Sequence, residues 1–248
     1  MKVIVHGSTG RMGSIICSML QSGHPSLELC ARVSPEHAED PARLCYTELA
    51  HYTGEADVVI DFSHHTAVGE LMRYCVERKL AVVVATTGHT AEETAIIHKA
   101  AESIPVFFAA NMSIGVALVA DLAKRAAAMF PGADIEIIEK HHNQKLDVPS
   151  GTALLLARSI CEAKPNAELV VGRHTNGKRR VEEIGIHSLR LGNEVGTHEI
   201  ILSTGNETIT IKHEAESRTL FADGALAAAA FLGGKSAALY SMQDMINS

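Results

Sequence analysis

The sequence predicts an α/β protein: a doubly wound parallel sheet plus a smaller α+β domain with a mixed or antiparallel sheet. In the first half of the chain, short β-branched runs alternate with amphipathic segments of helical length, which is the pattern of βαβ units. In the second half, three strand-like runs follow one another and are separated by Gly-Asn pairs that are typical of hairpin turns. The chain has 248 residues, of which 46% are hydrophobic, so it can bury one large core or two small ones.

The elements of the first half are predicted from their residue types and spacing. The runs predicted as strands are β-branched and end at glycine or polar residues, whereas the runs predicted as helices carry apolar residues every three or four positions. Parallel strands joined by helices need right-handed crossovers, so this half should be doubly wound. The predicted strands are 2–6, 27–33, 57–62, 80–85 and 105–109, and the predicted helices are 11–21, 66–79, 90–103 and 113–129.

The pattern changes after the helix predicted over 113–129. Gly192-Asn193 and Gly205-Asn206 separate the last three strand-like runs, which predicts an antiparallel meander. The final Ala-rich segment is predicted to be helical. The predicted strands of this half are 134–139, 184–191, 195–203 and 207–214, and the predicted helices are 151–162 and 220–235.

Composition and charge exclude several classes of protein. Acidic residues outnumber basic ones by 29 to 22, giving a formal charge of −7, and aromatic residues are 4% of the chain with no Trp. Such a chain has no general attraction to nucleic acid or anionic lipid. No apolar run approaches the roughly 20 residues of a membrane span, and the N-terminus lacks the features of a signal peptide. The five cysteines form no Cys-x-x-Cys pair, which indicates a reducing compartment. We expect a cytoplasmic protein that binds neither nucleic acid nor membrane.

Three glycines with the spacing G-x-x-G-x-x-G follow the first predicted strand and open the first predicted helix. They are Gly7, Gly10 and Gly13. Glycine in this context lets the backbone approach a pyrophosphate at a helix N-terminus, so the loop predicts a Rossmann-like dinucleotide site, with a plain tight turn as the alternative. The acid that usually binds the ribose 2′-OH is absent, because Ser34 stands at the end of the second strand with Arg32 before it. The choice between NAD and NADP stays open.

Segments that contain small and hydroxyl residues lie at the ends of three other predicted strands, at 61–63, 85–88 and 109–112. Ligands of doubly wound sheets bind beyond the carboxyl ends of the strands, and residues of this size leave room for a nicotinamide and its ribose. For each segment taken alone, the alternative is an ordinary connection between a strand and a loop.

The densest cluster of reactive side chains lies at 139–152. A predicted strand ends in His141 and His142, Lys145 follows, and Ser150 begins a predicted helix. Histidine exchanges protons near neutral pH, lysine is a cationic donor, and helix N-terminal amides bind carboxylates. The cluster therefore predicts proton-coupled chemistry on an anionic substrate. The alternatives are a surface lysine, a simple helix cap and a histidine metal site. We expect no metal, because adjacent histidines on a strand point apart.

The chain resembles the 4-hydroxy-tetrahydrodipicolinate reductase (dihydrodipicolinate reductase) family over essentially its whole length. The resemblance rests on the segments 7–13, 84–88, 108–116, 139–153 and 221–225, of which 139–153 is highly specific. It implies NAD(P)H-dependent reduction of 4-hydroxy-tetrahydrodipicolinate to tetrahydrodipicolinate with loss of water, in the diaminopimelate route of lysine biosynthesis. The implied domains are a dinucleotide-binding domain at 1–111 and 219–248 and a substrate-binding and oligomerisation domain at 112–218, in a homotetramer.

The resemblance also implies roles for individual residues. His141 would be the catalytic acid/base and Lys145 the proton donor. The substrate would be a small dicarboxylate, bound by His142, Ser150, Gly151 and Thr152. The cofactor would be NADH or NADPH, held by Gly7, Ser8, Thr9, Gly10, Arg11, Met12, Ser34, Ala85, Thr86, Thr87, Ala109, Ala110, Asn111 and Met112.

Two positions depart from the family pattern. Ser34 and Pro35 stand where many members carry an acid followed by Arg, and Ala85 stands where Gly is common. The first departure leaves the cofactor preference open, and we expect the second to be tolerated. Two other functions compete with this one: another small NAD(P)-dependent reductase, such as an amino-acid or imine dehydrogenase, and a non-catalytic dinucleotide sensor. The sensor would need the glycine loop but neither His141 nor Lys145.

Overall fold

The computed structural model describes residues 1–248, which divide into two compact units. The first unit comprises Met1–Ser113 and Thr219–Ser248, and the second comprises Ile114–Arg218. None of the helices combines the length and apolar character needed to cross a membrane.

In chain order the elements are β1 (Lys2–His6), α1 (Arg11–Gln21), β2 (Glu28–Val33), β3 (Cys45–Tyr46), β4 (Val58–Asp61), α2 (Val68–Arg78), β5 (Ala81–Val84), α3 (Ala91–Ala100), β6 (Pro105–Phe108), α4 (Ile114–Met129), β7 (Asp134–His141), α5 (Gly151–Ala163), β8 (Glu168–Val171), β9 (Glu183–Arg190), β10 (Gly196–Ser203), β11 (Thr208–Ala215), α6 (Thr219–Phe231), β12 (Ala238–Tyr240) and α7 (Met242–Ile246).

The first unit contains a parallel seven-stranded sheet in the order β12-β6-β5-β4-β1-β2-β3. The chain builds from β1 to one edge through β2 and β3, and then returns to β4 and builds to the other edge. The strand order therefore reverses between β1 and β4, and ligands of doubly wound sheets bind at the carboxyl ends of such strands. The predicted Rossmann-like fold is confirmed.

The central strands of this sheet are continuous apolar runs, as expected for strands covered on both faces. All four residues of β4 and all four of β5 are buried. Helix α6 packs against β4, β5 and α1, so the C-terminal segment completes the core of the first unit. A β-carbon at Gly224 of α6 would lie 1.7 Å from the carbonyl oxygen of Met112, so the close approach of these two segments requires glycine.

Three short elements of the first unit were missed at the sequence level: β3, β12 and α7. Strands of two or three residues are too short to show an alternating pattern. The helix predicted over 220–235 ends earlier, at Phe231, and Gly234 then adopts a φ of +74° that favours glycine.

The second unit contains a mixed five-stranded sheet in the order β11-β10-β7-β9-β8. Strand β10 runs antiparallel to both of its neighbours, β7 and β11, whereas β9 runs parallel to β7 and β8. One face of β7 presents Ile135 and Ile137, which share a buried core with residues of α4 and α5. Strand β7 continues to His141 rather than ending at residue 139, and β8 was not predicted.

The predicted antiparallel meander is wrong for its first pair of strands. Strand β7 lies between β9 and β10, although Gly192-Asn193 connects them. The connection passes over the end of β7, where the amide of Leu191 donates to the carbonyl of His141 at 2.9 Å and the amide of His142 donates to the carbonyl of Glu194 at 2.8 Å. A Gly-Asn pair predicts a turn but does not determine which strand becomes the neighbour. The predicted hairpin at Gly205-Asn206 does form, between β10 and β11.

Candidate active site

The glycine loop of the first unit follows β1 and is packed so closely that it requires glycine. Gly7 has a φ of +79°, and a β-carbon there would lie 2.5 Å from the carbonyl oxygen of Phe62. A β-carbon at Gly13 would lie 2.2 Å from the carbonyl oxygen of Gly7. The amides of Gly7 and Ser8 both donate to the carbonyl of Val33, at 2.9 and 3.1 Å. The loop is therefore held against the ends of β2 and β4.

The start of α1 fits a dinucleotide pyrophosphate. Its N-cap is Gly10, no side chain caps the helix, and no acidic residue lies in the first turn. An uncapped N-terminus presents amide donors and the positive end of the helix dipole, which together favour a phosphate group. Arg11 is exposed at the first helical position and adds a positive charge.

The end of β2 carries a neutral polar cluster in place of the usual acid. Ser34 is buried, and its hydroxyl lies 2.6 Å from the hydroxyl of Thr9. The hydroxyl of Ser8 lies 2.8 Å from Nε2 of His37. Burial, together with the positive charge of Arg32, lowers the pKa of His37.

A buried carboxylate fixes the loop that follows β5. Asp61, at the end of β4, is 2% exposed and accepts hydrogen bonds of 2.6 Å from the hydroxyls of Thr86 and Ser63. Its carboxylate also lies 2.8 Å from Nδ1 of His6, at the end of β1. Asp61 was recognised in the sequence only as a strand end, and no role was predicted for His6. The available signal was an acid at the carboxyl end of an otherwise apolar strand.

The other predicted cofactor residues follow neighbouring strands at the same edge of the sheet. Ala85, Thr86 and Thr87 follow β5, and residues 109–112 follow β6, which pairs with β5. The amide of Ala109 donates to the carbonyl of Val84 at 3.3 Å. The fold therefore places all the predicted cofactor residues beside the carboxyl ends of β1, β2, β5 and β6.

In the second unit, His141 ends β7 and contacts a buried carboxylate. Nδ1 of His141 makes a short hydrogen bond to Oε2 of Glu139, which is wholly buried. Arg190 donates to both oxygens of that carboxylate, from Nη1 at 2.9 Å and from Nη2 at 2.8 Å. The amide of Ser150 donates to Oε1 at 3.2 Å. Burial alone would raise the pKa of Glu139, but the hydrogen bonds from His141 and Arg190 outweigh it and hold that pKa well below its usual range.

Helix α5 begins beside this carboxylate and forms an anion-binding N-terminus. Ser150 caps it, with a hydroxyl that accepts from the amide of Ala153 at 3.1 Å. Gly151 is exposed, and a β-carbon there would meet no atom within 4 Å. The first turn carries no acidic residue, so the helix dipole is uncompensated at this end.

The loop between β7 and α5 carries the predicted substrate residue His142 and the predicted proton donor Lys145. Nζ of Lys145 lies 2.8 Å from Oδ1 of Asp147, and the hydrogen bond from Lys145 lowers the pKa of Asp147. The amide of Lys145 donates to the carbonyl of His142 at 3.2 Å. One strand-loop-helix segment therefore holds all six of the predicted catalytic and substrate-binding residues.

Sequence reasoning missed two residues of this cluster, Arg190 and His198. Both lie on strands far along the chain from His141 and reach it only through sheet pairing, so no local motif marked them. Glu139, His141 and His198 bring potential metal ligands within 4.8 Å of one another. The Arg190 guanidinium already places a fixed cation on both oxygens of Glu139, which disfavours a metal ion there.

Two family models match consecutive parts of the chain. The model of the dihydrodipicolinate reductase N-terminus matches residues 1–112, and the model of the C-terminus matches residues 115–246. The chain belongs to the dihydrodipicolinate reductase family. This confirms the family that the sequence motifs predicted, and with it the prediction of a reductase enzyme.

Relatives that bear the name of this enzyme match along the whole chain. The 4-hydroxy-tetrahydrodipicolinate reductase of Caldanaerobacter subterraneus subsp. tengcongensis is 43% identical, over 99% of this chain and 98% of its own length. The enzyme of the same name from Clostridium tetani is 41% identical, over 100% of this chain and 97% of its own length.

Solved structures share the fold. A dipicolinate-bound dihydrodipicolinate reductase from Paenisporosarcina sp. TG-14 has a TM-score of 0.82 at 27% identity, over 97% of both chains. An amine dehydrogenase from Mycobacterium smegmatis has a TM-score of 0.65 at 10% identity, over 98% of this chain and 95% of its own. The second likeness shows a common fold alone.

Proposed function

We propose that this family member reduces 4-hydroxy-tetrahydrodipicolinate to tetrahydrodipicolinate with loss of water, in the diaminopimelate route of lysine biosynthesis. The observation that carries the proposal is His141, bonded to an ionised carboxylate on the strand that leads into the anion-binding N-terminus of α5. A proton-exchanging group and a carboxylate site on one segment suit a reaction that moves protons on an acidic substrate.

The substrate is a small dicarboxylate. Gly151 and Thr152 offer a carboxylate the amide end of α5, and His142 and Lys145 add donors from the preceding loop. The buried hydroxyl of Ser150 already has two partners, so Ser150 contributes by setting the start of the helix. The dipicolinate bound to the Paenisporosarcina protein is a ligand of this class.

In the proposed reaction the 4-hydroxy ring first loses water, and bound NADH or NADPH would then supply a hydride to C4 of the resulting unsaturated ring, leaving an enamine-like intermediate that takes up a proton. The protein's own side chains stabilise the developing charge and transfer the protons. The Lys145 ammonium and the protonated His141 imidazole stabilise the negative charge that develops on the side of the ring nitrogen. Lys145 then donates the proton that completes the reduction, and the carboxylate of Glu139 stabilises the positive His141 ring meanwhile.

The first unit is the dinucleotide-binding domain of this proposal. Gly7 to Met12 would hold the pyrophosphate, Ser34 would lie near the adenosine ribose, and Ala85, Thr86, Thr87 and residues 109–112 would line the nicotinamide. The lack of an acid at residue 34 supports acceptance of both NADH and NADPH.

The second unit would bind substrate and also build a homotetramer. The face of its sheet opposite α4 and α5 carries Ile138, Leu189 and Ile201, which are half-buried or exposed. Apolar side chains on an open sheet face support association through that face. All five cysteines are free, which supports a cytoplasmic location.

A coupled assay tests the proposed reaction. Substrate is generated in place from pyruvate and aspartate semialdehyde by a synthase, and the absorbance of NADH or NADPH is followed at equal concentrations. We expect oxidation that depends on the synthase product. Folded protein that binds the cofactor but does not oxidise it would instead favour an amino-acid dehydrogenase or a dinucleotide sensor.

A further inference from the structure

We propose that Glu139 and Arg190 are a positioning pair for His141, and that they restrict its proton exchange with the substrate to Nε2. The inference rests on the proposed function, in which His141 is the acid/base. It adds two residues that do not touch the substrate and that act through a third.

The hydrogen bonds around Glu139 fix which nitrogen of His141 carries a proton. An ionised carboxylate only accepts hydrogen bonds, and its oxygens here face Arg190, the amide of Ser150 and Nδ1 of His141. Nδ1 must therefore be the donor, so the neutral ring is protonated at Nδ1 and carries its lone pair on Nε2.

The second nitrogen of His141 is left uncovered by a glycine. A β-carbon at Gly196 would lie 3.0 Å from Nε2, so any other residue there would crowd that atom. The ring of His198 lies beside the ring of His141, with centroids 5.1 Å apart and a nearly perpendicular arrangement. Its Nε2 is directed to Ser150, so His198 does not compete for Nε2 of His141.

Arg190 links this carboxylate to the rest of the site. Besides Glu139, its Nη2 donates to the carbonyl of Asp147 at 2.8 Å, in the loop that also carries Lys145. Oε1 of Glu139 holds the amide of Ser150 at the start of α5. The pair therefore fixes the acid/base, the lysine loop and the anion-binding helix end relative to one another.

The alternative is that Glu139 and Arg190 are a buried ion pair that serves only stability and does not control the tautomer of His141. Apolar residues can often replace a pair of that kind. The two roles are distinguished by replacing Glu139 with its amide. In Glu139→Gln the amide oxygen keeps the Oε1 position, where it accepts from Ser150 and Nη2 of Arg190. The NH2 group then takes the Oε2 position, where it faces Nδ1 of His141 and loses the hydrogen bond from Nη1 of Arg190. Nδ1 then becomes an acceptor, and the proton of the neutral ring moves to Nε2.

The test is long-range 15N–1H NMR of the histidine rings at a pH where His141 is neutral, with its signal assigned by its loss in His141→Gln. We expect protonated Nδ1 in the wild-type protein and protonated Nε2 in Glu139→Gln. Turnover should fall about 10²-fold in Glu139→Gln with a much smaller change in KM, since orientation and proton transfer are lost rather than binding. Glu139→Asp, which keeps the carboxylate, should retain the wild-type tautomer and more activity than Glu139→Gln.

Glu136→Gln is the matched control, because Glu136 lies on the same strand and bonds Arg179 at 3.1 Å and His187 at 2.8 Å on the opposite face. It should change neither the tautomer of His141 nor kcat.

A wild-type His141 protonated at Nε2 would overturn the inference, whether or not any variant folds. An unchanged tautomer or unchanged kcat in folded Glu139→Gln would overturn it as well. If the tautomer changes as expected while His141→Gln keeps full turnover, the proposed function of His141 fails and the control of its tautomer by Glu139 stands.

Discussion

Nε2 of His198 lies 3.1 Å from the hydroxyl of Ser150, and both side chains are buried. The same hydroxyl accepts a hydrogen bond from the amide of Ala153, so it connects His198 to the first turn of α5. Burial, together with the neighbouring His141, lowers the pKa of His198 to about 4. His198 is therefore a neutral ring at physiological pH.

We expect acid to destabilise the protein through His198. Its pKa rises from about 4 in the folded state to the ordinary 6.5 in the unfolded chain. Between these values the unfolded chain binds a proton that the folded protein does not. The contribution is therefore complete above pH 6.5 and is lost as the pH falls toward 4. The expected loss of unfolding free energy is about 3 kcal/mol.

Urea unfolding of the wild-type protein and His198→Gln at several pH values checks this prediction. The amide of Gln lies near the position of Nε2 and can still bond the Ser150 hydroxyl, but it does not titrate, so the variant should lose less stability than the wild-type protein between pH 6.5 and 4. The same pH dependence in both proteins would contradict the assignment.

We expect Gly7→Ala to destabilise the first unit and to abolish cofactor binding. The φ of +79° is strained for alanine, and the new methyl group would meet the carbonyl oxygen of Phe62 at 2.5 Å. Backbone strain of this kind alone costs about 1–3 kcal/mol. Thermal unfolding measures the effect. Gly69→Ala in α2 is the control, because a β-carbon there meets nothing within 4 Å, and its melting temperature should stay the same or rise. Equal melting temperatures for the two variants would refute the packing described for Gly7.

A carboxylate at residue 34 should shift cofactor selectivity toward NADH. Ser34 directly follows β2, where an acid in other dinucleotide-binding proteins binds the ribose 2′-OH and would repel a 2′-phosphate. In Ser34→Asp we expect the affinity for NADPH relative to NADH to fall about tenfold or more, which corresponds to roughly 1.4 kcal/mol. Fluorescence titration with both cofactors measures it, and Ser34→Asn controls for size without charge. Selectivity that is the same in both variants would mean that residue 34 does not face the ribose.

The first unit could be predicted closely from sequence because its signals are local. Helix α1 lies at the predicted residues, and β4 and β5 are apolar runs too short to be helices. Strands β3 and β12 could not be predicted, because two or three residues become a strand only when a neighbouring strand is present to pair with them. The prediction that β10 pairs with β9 was wrong for a similar reason, because its actual pairing with β7 depends on burial of the whole sheet face.

Some residues of the candidate site could likewise be predicted from local sequence, and others could not. His141 and Lys145 lie within one motif, and their residue types alone predicted proton chemistry. The roles of Arg190 and His198 depend on the register of β9 and β10 against β7, which local sequence does not encode. Asp61 needed the parallel order of β1, β4 and β5 to bring His6 and Thr86 to its carboxylate.

The central claim is that His141 and Lys145 carry out the proton chemistry of the reaction. The most direct test measures the turnover and the cofactor affinity of His141→Gln and Lys145→Ala side by side. Lys140→Ala is the control, because Lys140 precedes His141 on β7 and pairs instead with Glu199 at 3.3 Å. We predict that turnover of each of the first two variants falls about 10²-fold or more, while the affinity for NADH and NADPH and the activity of Lys140→Ala stay near wild type. Unchanged turnover in folded His141→Gln or Lys145→Ala would contradict the assignment.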